Sequence, residues 1–132
     1  MLSDDLCTIL YKEADRLAPE EMCGVLLPGG IFVGMKNVAD NPDRAFQIDP
    51  EEFRAVAILR GALPCAIVHS HPGERSNASA TDCQLMDALQ KHGHDLYMVI
   101  VGLNPRTIRV YQKQGEHYTC LWHKEECGLS EV

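Results

Sequence analysis

The stretch from Cys65 to Asp82 constrains this chain more than any other part of it. Cys65-Ala-Ile-Val68 is an unbroken apolar run with β-branched residues, the pattern of a strand buried on both faces. Pro72 cannot donate to a ladder and so ends that strand. Side chains alternate along a strand that rises about 3.3 Å per residue, so His69 and His71 face the same side with Cα atoms roughly 6.6 Å apart. Two imidazoles so placed can converge on one metal ion. After a loop containing Gly73, Ser76 and Asn77, Ser79 is a favoured N-cap, and Leu85, Ala88 and Leu89 follow at amphipathic-helix spacing. Asp82 then falls in the first helical turn. Two nitrogens and one carboxylate are the ligand count of a catalytic zinc, whose fourth position is kept for water.

Neither fragment carries much alone. A His-x-His on a strand is commonly incidental, and Ser-x-x-Asp is close to a capping box in which the acid reaches back to the cap amide. Their combination is another matter. His69-Ser70-His71-Pro72, six residues, then Ser79-x-x-Asp82, with Glu21-Met22-Cys23-Gly24 upstream, resembles the signature of the JAMM (MPN-plus) metalloprotease family.

The resemblance covers about residues 1–112, which it implies form a JAMM/MPN domain of cytidine-deaminase-like fold, with 113–132 as a C-terminal extension. It further implies one zinc ion on His69, His71 and Asp82 with a bound water as nucleophile. Glu21 would be the general acid/base, and Ser79 would steady the developing oxyanion. The competing reading of Ser79 is that its oxygen only caps the helix. The family implies hydrolysis of peptide or isopeptide bonds, often after the C-terminal glycine of a ubiquitin-like or sulfur-carrier protein, whose extended tail strand addition beside the site would grip. The other small zinc hydrolases of deaminase type use His-x-Glu with Pro-Cys-x-x-Cys, which this chain lacks.

Two alternatives come from other classes. Glu-x-Cys-Gly together with Asn37-x-Ala39 to Phe53 is also similar to the N-terminal domain of phage tail-tip assembly proteins, which implies tail proteins as partners and a virion-associated location. Phe46 and Asp49-Pro50 resemble the small bacterial and phage members of the family. The second alternative is a non-catalytic scaffold of the same fold. Such relatives lose ligands, and this chain keeps them all.

At 132 residues with 45% apolar content, one domain with one core is expected. A net charge of −7 without a Lys/Arg run argues against nucleic acid as partner. No apolar stretch approaches the ~18 residues of a membrane span, and Met-Leu-Ser-Asp-Asp lacks the basic region of a secretory signal, so a cytoplasmic location is expected. Six cysteines are scattered, and Cys7, Cys23 and Cys65 read as small buried thiols.

The remaining elements follow from periodicity. Ser3 caps a helix whose apolar face is Leu6, Ile9, Leu10, Ala14 and Leu17, and Pro19 stops it. Residues 22–27 and 31–35 form a hairpin across Pro28-Gly29-Gly30. A brief strand is expected at 45–48. Asp49-Pro50-Glu51-Glu52 then starts a helix that presents Phe53, Val56 and Ala57 and ends at Gly61. Strands at 96–101 and 107–111 complete the sheet. The order predicts an α/β fold, a mixed sheet flanked by helices. His117, Cys120, His123 and Cys127 invite a second, structural zinc, but their spacing matches no finger pattern, so incidental side chains are the preferred reading. His92 reads as a boundary residue of its helix.

Overall fold

The computed structural model describes residues 1–126. In chain order the elements are α1 (Asp4–Leu17), β1 (Cys23–Leu27), β2 (Ile31–Met35), α2 (Pro50–Arg60), β3 (Ala66–His71), α3 (Ala80–Lys91), β4 (Tyr97–Leu103), β5 (Arg106–Gln114) and β6 (His117–Glu125). They form one six-stranded sheet in the order β2-β1-β3-β4-β5-β6. All neighbours are antiparallel except β3 and β4. That parallel pair requires a long crossover, which α3 supplies. Among the described residues no helix is long and apolar enough to cross a membrane.

One face of the sheet is covered by α1. Ser3 Oγ accepts from Leu6 N–H at 3.1 Å, and two aspartates in the first turn suit the positive helix end. Leu6, Cys7, Leu10, Tyr11 and Ala14 are buried there against Val68, Val99, Val101, Ile108 and Val110. Ile9, expected on this face, is 48% exposed. The buried stripe is rotated toward Cys7 and Tyr11, a choice between adjacent helix positions that periodicity leaves open.

The opposite face carries α2 and α3. Asp49 caps α2, Pro50 opens it and Gly61 closes it in the left-handed conformation, as expected. Phe53 and Val56 pack on a cluster of Val25, Leu27 and Met35. Gly29 and Gly30 turn between β1 and β2 with φ of 91° and 76°, values that favour glycine.

Three local expectations are corrected. Residues 45–48 form no strand. The Asn37 side chain takes up their backbone instead, donating to the Ala45 carbonyl at 2.9 Å and accepting from Gln47 N–H at 3.1 Å. Cys65 is exposed, because β3 begins one residue later and leaves it at the sheet's end. The sheet does not stop at Tyr111: β5 runs to Gln114, and β6 pairs with it from His117 to Glu125. His117 and His123 therefore lie about 20 Å apart along one strand, too far to share an ion. Cys127 falls outside the described residues, and His92 is an exposed helix C-cap.

Ser70 sits between the two histidines and faces the other way, buried on the α1 side. Its Oγ accepts from Met22 N–H at 2.7 Å, and its own N–H donates to the Met22 carbonyl at 2.9 Å. Ser70→Ala would leave a buried N–H without its acceptor and is expected to cost about 1–3 kcal/mol in denaturant unfolding. A change below about 0.5 kcal/mol would mean this amide finds another partner.

Candidate metal centre

β3 and α3 build one half of the site, and register builds the other. In the antiparallel β1–β3 ladder Cys23 lies opposite His69. Continuing that register two residues brings Glu21, just ahead of β1, opposite His71. Alternation puts Glu21, Cys23, His69 and His71 on one face of the sheet. One potential ligand atom from each of Glu21, His69 and His71 lies within 4.8 Å of the others.

Asp82 reaches the same point from α3. Its Oδ1 is 3.0 Å from His69 Nε2, its Oδ2 is 3.3 Å from His71 Nε2, and the two Nε2 atoms are 3.1 Å apart. Donors on a tetrahedral zinc at about 2.0–2.1 Å are separated by roughly 3.3 Å, so each of these separations has the size of a coordination edge, with Asp82 meeting the two rings through different oxygens. His71 Nδ1 is 2.9 Å from the Arg75 carbonyl, to which its N–H donates, and this turns the Nε2 lone pair inward. His69 is fully buried, with its ring stacked on Phe46 at 4.3 Å between centroids.

Electrostatics agree with a cation among these side chains. Burial lowers the His69 pKa and keeps the ring neutral, the form that ligates. For His71, burial pulls downward, but hydrogen bonds with Asp82 and the Arg75 carbonyl more than offset it and the net direction is upward. Burial also opposes the charge on Asp82, yet both histidines and the Ser79 backbone N–H hold its carboxyl well below the usual range. A permanently ionised acid facing two imidazole nitrogens is a place where positive charge is stabilised. These donors fit a divalent ion of borderline softness.

Glu21 behaves differently. Burial, reinforced by the negative charges of Asp82 and Glu74 and opposed by His71, pushes its carboxyl up to about 7. Between the ordinary value of 4.5 and about 7 the folded chain holds this proton more tightly than the unfolded one, so this group makes stability fall as pH rises across that window and stay level above it. Glu21→Gln removes the buried charge. In metal-free protein it is expected to raise the thermal midpoint relative to wild type at pH 8 and to change it little at pH 4. An equal shift at both pH values would rule out this electrostatic origin.

Ser79 stands at the start of α3. Its Oγ accepts from Asp82 N–H at 3.1 Å while Asp82 Oδ2 accepts from Ser79 N–H at 2.9 Å, a complete capping box. Capping and catalysis do not exclude one another here, because the cap uses a lone pair of the hydroxyl and leaves its O–H to donate. A cleft of about 490 Å³ opens over Glu21, His71, Ser79 and Asp82, with Arg44, Phe46 and Leu85 in its walls.

The profile described as prokaryotic homologs of the JAB domain (Prok-JAB) matches residues 3–114. The chain belongs to the Prok-JAB family. Among solved structures it is similar to the solution structure of protein DSY2949 from Desulfitobacterium hafniense, with a TM-score of 0.70 and 22% identity over 90% of this chain and 87% of that one. That likeness establishes the shared fold. No curated protein matches the chain. Membership of Prok-JAB and the Glu21/His69/His71 cluster are together consistent with a metallohydrolase.

The fold thus brings His69, His71, Asp82 and Glu21 together. Sequence reading missed several residues that hold them in this Prok-JAB chain. Asn37 donates to the Glu21 carbonyl at 3.0 Å and organises the 37–47 loop, and Glu21 N–H donates to the Pro42 carbonyl at 2.7 Å. The Arg75 contribution is a carbonyl, invisible to any reading of side chains. Cys23 lies beside the centre, but burial and the charges of Glu52 and Glu21 push its thiol up to about 12, which keeps it protonated and inert.

Proposed function

We propose that this protein is a zinc-dependent metallopeptidase that hydrolyses peptide or isopeptide bonds, with His69, His71 and Asp82 holding the ion. The observation that carries this reading is the approach of His69, His71 and Asp82 to within 3.0–3.3 Å of one another, with the buried Glu21 carboxyl beside the two rings. Zinc at such a site supplies a water of pKa near 7 and Lewis acidity toward the scissile carbonyl.

The chain's own groups do the rest. Glu21, in its ionised form, takes the proton of the attacking water and returns it to the leaving amine. The Ser79 hydroxyl, with its donor free, faces the developing oxyanion, a role commonly worth about 3 kcal/mol. Asp82 keeps its charge throughout, and the capping box fixes its direction. The cleft accepts an extended chain, and a carrier protein ending in glycine is the substrate class favoured here.

The test is metal analysis followed by a cleavage screen. One zinc per chain, with release of a fusion partner from a ubiquitin-like or sulfur-carrier protein ending in Gly-Gly and loss of that release on chelation, is the expected result. Protein that takes up no zinc after supplementation would favour a non-catalytic scaffold.

A further inference from the structure

We infer that Arg109 and Tyr111 of β5 are positioning residues for the metal centre, acting through the loop at 72–79. This rests on the metallopeptidase reading for its consequence but on separate contacts for its geometry. The loop delivers two things to the site: the Arg75 carbonyl that orients His71, and the Ser79 cap that orients Asp82. It has little packing of its own, since Gly73, Glu74, Arg75 and Asn77 are all exposed and Ala78 alone packs on an apolar cluster, that of Met86, Met98, Ile100 and Tyr111. Something else must hold it.

Ser76 is the exception, a fully buried hydroxyl in an otherwise exposed turn. Arg109 Nη1 donates to its Oγ at 2.7 Å. Two residues along the same face of β5, the Tyr111 hydroxyl accepts from Ala78 N–H at 3.3 Å. On the side of Arg109 away from Tyr111, β4 presents Gly102, where a Cβ would lie 2.5 Å from Ser76 N and 2.7 Å from the Arg75 carbonyl carbon. The missing side chain lets the loop backbone lie on the sheet, and Asn104 N–H donates to the Glu74 carbonyl at 3.3 Å beside it.

Register links this clamp to the ligands. His69, Ile100 and Arg109 form one row across the sheet, and His71, Gly102 and Thr107 form the next. β5 therefore grips the loop at Ser76 and Ala78, while β3 beneath it carries the rings that the loop must meet. Only the carbonyl of Arg75 is used, so its side chain has no role in the clamp, whereas those of Ser76 and Arg109 do.

Zinc affinity by competition with a chromophoric chelator, together with the imidazole nitrogen spectrum of His71, tests this. Arg109→Ala is expected to weaken zinc binding about 10–100-fold, the usual cost of losing support behind a ligand. The His71 Nδ1–H signal should weaken with it, Arg109→Lys should restore part of both, and Arg75→Ala should change neither. Thermal unfolding of the metal-free variants reports separately on folding. If Arg109→Ala does not fold, Ser76→Ala and Tyr111→Phe carry the same measurement. Zinc affinity within about twofold of wild type, with an unchanged His71 spectrum, would overturn the inference. Should wild type bind no zinc, the metallopeptidase reading fails, and the His71 signal in metal-free protein still decides the clamp: its loss in Arg109→Ala supports it and its persistence overturns it.

Discussion

Glu21→Gln is expected to retain one zinc per chain while turnover falls about 10²–10⁴-fold, the usual contribution of a positioned general base. The amide keeps the shape of the carboxyl and hydrogen-bonds in its place, so the ends of β1 and β3 are undisturbed, but it cannot accept a proton. Wild-type kcat/KM should rise with pH as Glu21 ionises, from a pKa that a bound divalent cation draws below its metal-free position, and the variant should lose that limb. Metal content and the pH profile are measured together. Turnover retained in zinc-loaded Glu21→Gln would take the proton transfer away from Glu21.

The largest structural effect is expected at Gly24, three residues further along. A Cβ there would lie 2.4 Å from the Val33 carbonyl oxygen and 2.7 Å from Phe32 Cε1. The ring can turn aside, but the carbonyl belongs to the β1–β2 ladder, and β1 is held on its other side by β3. Gly24→Ala should therefore destabilise by about 3 kcal/mol, the upper part of the overpacking range. Such a loss lowers the thermal midpoint of a domain this size by roughly 10 °C. A midpoint within about 2 °C of wild type would show that β2 slides away at little cost. The glycine of Glu-x-Cys-Gly is thus explained by strand approach and has no contact with the metal centre.

The resemblance to JAMM proteins and the Prok-JAB match cover nearly the same stretch, about 1–112 and 3–114, yet the chain itself shows why some site residues were legible and others not. His69, His71, Ser79 and Asp82 lie within a short contiguous segment in which alternation along a strand and the first turn of a helix dictate direction. Those are local rules, and they applied. The same rules failed at 45–48, where a brief strand is expected but the Asn37 side chain takes up the backbone instead. They also stopped the sheet a strand early, because β6 is an edge strand with mostly exposed and half-buried residues and so carries little apolar signal.

By itself the sequence determined the helix and strand that carry His69, His71 and Asp82, the spacing of those three residues and the identity of the ionisable groups around them. Only the tertiary structure decided that Glu21 meets those side chains in a buried setting that raises its pKa, and that a loop held by Arg109 and Tyr111 aims two of them. The physical reason is range. Direction along a strand or helix is set by neighbours a few residues away, whereas register between β1 and β3, burial of an acid and a contact from β5 depend on segments far apart in the chain that meet only once the sheet has formed.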